Sequence, residues 1–234
     1  MSTSRCLGLV GGLGIGATVY YYEKLARAHE AQGRTLDLVI SHAEISRVFE
    51  YVRTNDRHGL AEYLARYIRR MQAAGAQVAA IPAVTPHFCM RELMAISPLP
   101  LVTIVEPLLE ELRARAARRV AIFGTRFVME SSLFGQLGDV EIIQSRPEET
   151  ESINDIYIEV ARTGKALAEQ HAHLTALAHT LLRRDGVDMV ILAGTDLALV
   201  FHDGNADFPH LDCAALHLRA ILKQLLDEPP ADSG

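Results

Sequence analysis

Short runs of aliphatic residues recur along the chain, separated by stretches whose apolar positions repeat at helical spacing. Runs at 6–10, 36–42, 78–85, 101–105, 120–123, 140–143 and 186–196 are too uniformly apolar for half-exposed strands. They predict strands covered on both faces, as in a parallel sheet. Helical spacing predicts helices over 19–34, 60–74, 106–118, 129–137, 174–184 and 213–226. A further long helix spans 153–162, opened by 147–152, and a short one ends near Ser97. Gly75 closes the helix that precedes residues 78–85. Residues 44–56 read as a loop, 202–207 as another, and 227–234 as a frayed tail.

The pattern occurs twice. Gly75 to Thr85 overlays Gly186 to Asp196 residue for residue, which sets Ala83 over Gly194. The turn Gly124-Thr125 after one strand likewise repeats Gly11 after Val10 at nearly the same offset. Two similar β–α halves imply an α/β fold. It comprises two similar parallel-sheet, three-layer domains related by a pseudo-twofold axis, with a ligand cleft between them. The expected division is 1–100 plus 211–228 for the first domain, 101–210 for the second and 229–234 for a tail. In such folds ligands meet the turns at the carboxyl ends of strands. Gly12 and Thr85 from one half and Thr125 and Thr195 from the other should therefore converge, supplying hydroxyls and backbone N–H groups that suit a small carboxylate.

Composition narrows the function classes. The 234 residues are 49% hydrophobic but only 6% aromatic with no Trp, so the core is aliphatic. A net charge of -6 offers no electrostatic footprint for nucleic acid. No apolar run reaches the length of a membrane span, and the first residues lead into a strand with no signal-peptide pattern. Cys6, Cys89 and Cys213 are odd in number and lack ligand spacing, which fits a reduced cytoplasmic setting and no metal site. Arg66, Arg69 and Arg70 read as a solvated helix face.

Two further features bear on chemistry. Gly12-x-Gly14-x-x-Ala17 superficially fits a dinucleotide fingerprint, but Ser41 and His42 stand where an acidic residue should end the second strand. His87, two residues beyond Thr85, carries the side chain best suited to proton transfer at neutral pH.

Residues 9–18, 124–131 and 212–217 resemble the aspartate/glutamate racemases, within the wider group that includes hydantoin racemase, maleate isomerase and arylmalonate decarboxylase. The resemblance covers nearly the whole chain and implies a cofactor-independent enzyme, commonly a homodimer. Two thiols, in Cys-Asn-Thr and Gly-Cys-Thr-Glu motifs, would exchange a proton on opposite faces of a substrate α-carbon. This chain reads Ala83-Val84-Thr85 and Ala193-Gly194-Thr195-Asp196 instead. Neither Ala83 nor Gly194 carries a proton, and the two-thiol mechanism is excluded. Cys89 stands six residues beyond Ala83 and reads as a buried core thiol. Asp196, matching the family's Glu, becomes a catalytic candidate beside His87 if burial raises its pKa. Arg47 and Arg162 lie near positions where the family places basic residues for a distal carboxylate.

The expectation is an isomerase-, lyase- or decarboxylase-type enzyme acting on a small carboxylic acid or amino-acid derivative. His87 and Asp196 would be catalytic; Gly12, Arg47, Thr85, Thr125, Arg162 and Thr195 would bind substrate. A catalytically inactive relative that binds a carboxylate or regulates a partner is the second reading, and a nucleotide-binding Rossmann-like protein a third. No cofactor, metal, nucleic acid or membrane is expected.

Overall fold

The computed structural model describes residues 5–202 and 204–226; the tail read at 227–234 lies outside them. Two four-stranded parallel sheets carry the same strand order. In the first, β2 (Leu38–His42), β1 (Leu7–Gly11), β3 (Val78–Ala80) and β4 (Leu101–Val102) lie side by side. In the second the order is β6 (Glu141–Ile142), β5 (Arg119–Phe123), β7 (Met189–Leu192) and β8 (His210–Asp212). The register sets Leu7 beside Leu38 and Val78, and Val120 beside Ile142 and Met189.

Alternation along β1 explains the layers. Leu7 and Leu9 face Tyr21 and Leu25 of α1 (Ile15–Ala31) and Ala214 and Leu218 of α9 (Cys213–Leu226). Cys6 and Val10 face Leu60, Leu64 and Ile68 of α3 (Arg57–Ala73) on the other side. Successive side chains of a strand point to opposite faces, so a strand between two helical layers must be apolar throughout. Burying each such Leu contributes about 1.5–3 kcal/mol.

The halves are joined by exchanged helices. β4 lies in the first sheet, yet the helix after it, α5 (Val105–Ala114), sends Val105, Leu108 and Leu112 into the second core. β8 lies in the second sheet, yet α9 packs on the first. The division drawn at 100/101 and 210/211 therefore cuts both crossovers short: residues 101–102 sit in the first sheet and 211–212 in the second. Strands of two or three residues leave too little pattern to locate the switch.

Two other readings change. Residues 44–56 are not a loop; α2 (Ile45–Arg53) buries Val48 and Val52, four apart on one face. The helix expected at 129–137 starts earlier and stops sooner, as α6 (Arg126–Glu130). Thr125 starts it by accepting the Val128 N–H. Ser132, Leu133 and Phe134 then take left-handed conformations, unusual for residues with a Cβ. Burial of Leu133 and stacking of Phe134 on Phe88 and Phe127 hold them there. The remaining helices are α4 (Met90–Ile96), α7 (Pro147–Thr163) and α8 (Ala168–Asp185), with 3-10 turns at Thr85–Cys89, Leu133–Gly135 and Thr195–Leu199. No helix among the described residues is long and apolar enough to cross a membrane.

Candidate functional site

A cavity of about 340 Å³ opens at the carboxyl ends of β1, β3 and β5, between the two halves. Gly12, Leu13, Gly14 and Ile15 of the Gly-rich turn, and Ile45 and Phe49 of α2, form one side. Ala83, Val84 and Thr85 form its back. Thr125 and the α7 residues Tyr157, Ile158, Ala161 and Arg162 complete it from the second half. Larger hollows of about 520 and 590 Å³ lie on the surface around α4 and α5, beside the edge strand β4, and include none of the turns after β1, β5 and β7.

The structure thus brings Gly12, Thr85, Thr125 and Arg162 together, with Ala83 in the wall. The Thr85 hydroxyl makes no hydrogen bond with the described residues, and the Thr125 hydroxyl only accepts, from Val128 N at 3.3 Å. Both can donate into the cavity. The Gly12 N–H is already used: it donates to Thr18 Oγ1 at 3.1 Å, inside the turn.

Asp196 and Thr195 are placed differently. Both are buried and neither lines the cavity. Asp196 Oδ1 accepts the Ala17 N–H at 2.7 Å, and Oδ2 accepts the Tyr157 hydroxyl at 3.3 Å. A carboxylate from the second half therefore caps the N-terminus of α1, satisfying an orphan donor and complementing the helix dipole. Its approach is so close that any Cβ at Gly14 would overlap Oδ2. Burial raises the Asp196 carboxyl above its ordinary range, partly offset by the Ala17 N–H and the Tyr157 hydroxyl. The helix N-terminus in the Gly-rich turn thus already carries the protein's own anion. The Thr195 hydroxyl donates to Pro82 O at 3.0 Å, tying the second turn to the strand end of the first half.

His87 is fully buried and lies behind the cavity wall. Nε2 accepts the Ile104 N–H at 3.0 Å, so the ring proton sits on Nδ1, which donates to Ala83 O at 3.0 Å. Desolvation lowers its pKa to about 4. With both nitrogens occupied by backbone, the expectation that His87 moves a substrate proton meets an imidazole that is neutral, pinned and out of reach. It shapes the turn that presents Thr85. Cys89 offers no replacement thiol: it is buried, donates to Pro86 O at 3.4 Å, and desolvation pushes its pKa up to about 12.

Neither arginine is poised as the resemblance suggested. Arg47 pairs with Glu50 at 2.7 Å on exposed α2 surface and does not line the cavity. Arg162 reaches the rim, but its largely exposed guanidinium pairs with Glu159 at 2.7 Å.

Tyr157 is the residue that sequence reasoning missed. Its ring occupies the space into which a side chain at Gly194 would project, since a Cβ there would overlap Cε2. Burial, followed by the neighbouring Asp196 charge, pushes its phenol well above the ordinary range. In the sequence Tyr157 shares the apolar face of its helix with Ile153 and Val160, and nothing separates it from ordinary core. No group of three or more His, Cys, Asp or Glu among the described residues could hold a metal ion.

The same two-half architecture occurs in an aspartate racemase homologue from Pyrococcus horikoshii OT3, with a TM-score of 0.76, 24% identity and coverage of 94% of this chain and 98% of that one. Picrophilus torridus aspartate racemase superposes with a TM-score of 0.73 at 18% identity, covering 94% of each chain. Arylmalonate decarboxylase superposes with a TM-score of 0.54 at 15% identity, covering 94% of this chain and 92% of that one. At these identities the likeness is one of fold. The family model for Asp/Glu/hydantoin racemase matches residues 10–221, and with that match across both halves the chain belongs to the Asp/Glu/hydantoin racemase family.

Proposed function

We propose that this chain binds a small carboxylic acid in the cavity between its halves and does not racemise it by two thiols. One observation carries the reading. The walls that would hold the two proton carriers present Ala83 and, over Gly194, the ring of Tyr157, while Thr85 and Thr125, whose hydroxyl protons are not used within the protein's described residues, line the space between. Hydrogen-bond donors without a base or acid facing them make a binding site before they make a catalytic one. Calorimetric titration with small carboxylates, paired with proton NMR of the acid's α-position in deuterium oxide, tests both parts. Saturable binding with no α-deuteration is expected; α-deuteration by the wild-type chain would sink the reading.

A second reading, a lyase- or isomerase-type enzyme of altered chemistry, is favoured by Tyr157 itself. Among the residues lining the cavity, Tyr157 and Arg162 carry the ionisable groups, and the Tyr157 phenol is hydrogen-bonded to a buried carboxylate. With Asp196 protonated, a form its burial favours, the carboxyl O–H would donate to the phenol oxygen, and the phenol could give its own proton to one face of a carbanion and recover one from Asp196. Under this reading any turnover of an activated acid disappears in Tyr157→Phe while binding persists.

A further inference from the structure

The cavity that offers two hydroxyls for one carboxylate offers a second carboxylate no cation that is not already paired. Beyond Thr85 and Thr125 its wall is chiefly Leu13, Ile45, Phe49, Ile158 and the ring of Tyr157, with Arg162 at the rim. Ile158 and Phe49 stay partly exposed at the mouth. The two arginines that could have met a distal anion are already paired, Arg162 with Glu159 and Arg47 with Glu50. The buried Asp196 behind Tyr157 adds the wrong sign of charge for a dianion. A second carboxylate placed against this wall would lose its water and gain no partner, whereas an alkyl or aryl group would remove more apolar surface from water.

We propose that the occupant is a monocarboxylate whose remaining body is an apolar alkyl or aryl group, not a dicarboxylate. This rests on the reading that the cavity binds a carboxylate through Thr85 and Thr125.

The test is a calorimetric titration of the full chain with four probes: 4-methylpentanoate, its isostere succinate, 3-phenylpropanoate and the neutral 4-methylpentanamide. Each buried methylene is worth roughly fourfold in affinity, so 4-methylpentanoate is expected to bind at least about 30-fold more tightly than succinate. 3-Phenylpropanoate should share that advantage. The amide should bind about tenfold more weakly than its acid, because a charged acceptor makes the stronger hydrogen bond. Ile158→Arg, at a partly exposed position where the fold has little to lose, should reduce the preference over succinate to within about tenfold. Succinate binding as tightly as 4-methylpentanoate would overturn the apolar occupant while leaving the carboxylate reading standing. An amide as tight as its acid would overturn the carboxylate reading. Failure of every probe to saturate at millimolar concentration would overturn both.

Discussion

The ring of Tyr157 lies in the space that any side chain at Gly194 would have to enter. The two positions are 37 residues apart in sequence, on α7 and on the turn after β7, and each explains the other. A glycine at 194 admits the ring, and the ring fills what the glycine leaves.

Gly194→Cys is therefore expected to destabilise the fold, by about 1–3 kcal/mol, because Tyr157 must leave its place. The double variant with Tyr157→Ala should lose less than the sum of the two single losses, a favourable coupling of about 1 kcal/mol or more between the two sites. Urea unfolding of the two single variants and the double variant measures it. A Gly194→Cys chain as stable as the parent would mean that the ring moves freely, and that the opposed wall was never closed.

Asp196 is expected to behave as a structural residue. Asp196→Ala leaves the Ala17 N–H and the Tyr157 hydroxyl without their buried acceptor, at a cost of about 2–4 kcal/mol. Asp196→Asn keeps one acceptor and should cost less. The diagnostic readout is amide hydrogen exchange: protection at Ala17 should fall more than at Val78 or Val190, which lie in strands away from the cap. Uniform loss of protection would argue against a cap.

What was legible in the chain follows from how far each signal reaches. The helix that runs from Cys213 through Leu226, where the described residues end, is legible because an apolar stripe over several turns averages out local noise. The duplicated run around Ala83 and Gly194 pointed to the strand ends because both copies must put a turn at the same end of a sheet, yet only the first copy's turn lines the cavity. The helix at Ile45–Arg53 carried a readable signal, Ile45, Val48, Phe49 and Val52 at helical spacing, which the surrounding charges obscured. The expected division already gives α5 to the second half and α9 to the first; the ends of those crossovers at β4 and β8 and the seat of Tyr157 were not legible. Each depends on which distant surfaces pack together, and neither leaves a period or a motif along the chain. The same holds for Asp196, whose position the repeat revealed but whose partner, a backbone N–H 179 residues away, it could not.

Thr85 and Thr125 should carry the polar half of binding without carrying the fold. Thr85→Val removes a hydroxyl that has no protein partner among the described residues, so stability should change by less than about 1 kcal/mol. Affinity for a carboxylate should fall about 10-fold, the worth of one hydrogen bond to a charged acceptor. Thr125→Val should lower affinity similarly but also cost about 1 kcal/mol of stability, because Thr125 caps α6. Titration and unfolding of the same two proteins separate the roles. If Thr85→Val binds as the parent does, the carboxylate is held elsewhere.

Acid should unfold this protein through two buried histidines. His217 donates Nε2–H to Val102 O at 2.9 Å and accepts the Tyr21 hydroxyl on Nδ1 at 3.1 Å; its ring lies 6.3 Å from that of His87. Desolvation lowers the pKa of His87 to about 4; desolvation, then the neighbouring His87 charge, lowers that of His217 to about 3. In the unfolded chain both titrate near 6.5. Between that pH and their folded values the unfolded state binds protons that the native state refuses, so stability falls as pH falls. The stability they lend is complete above pH 6.5 and is lost progressively down to about pH 4 for His87 and about pH 3 for His217. For His87 the loss amounts to about 3 kcal/mol. Urea unfolding at a series of pH values should show a slope approaching two protons near pH 5. His87→Gln keeps a donor and an acceptor at that site and should reduce the slope by one proton. A slope unchanged by that substitution would mean that the acid lability arises from carboxylates rather than from this pair.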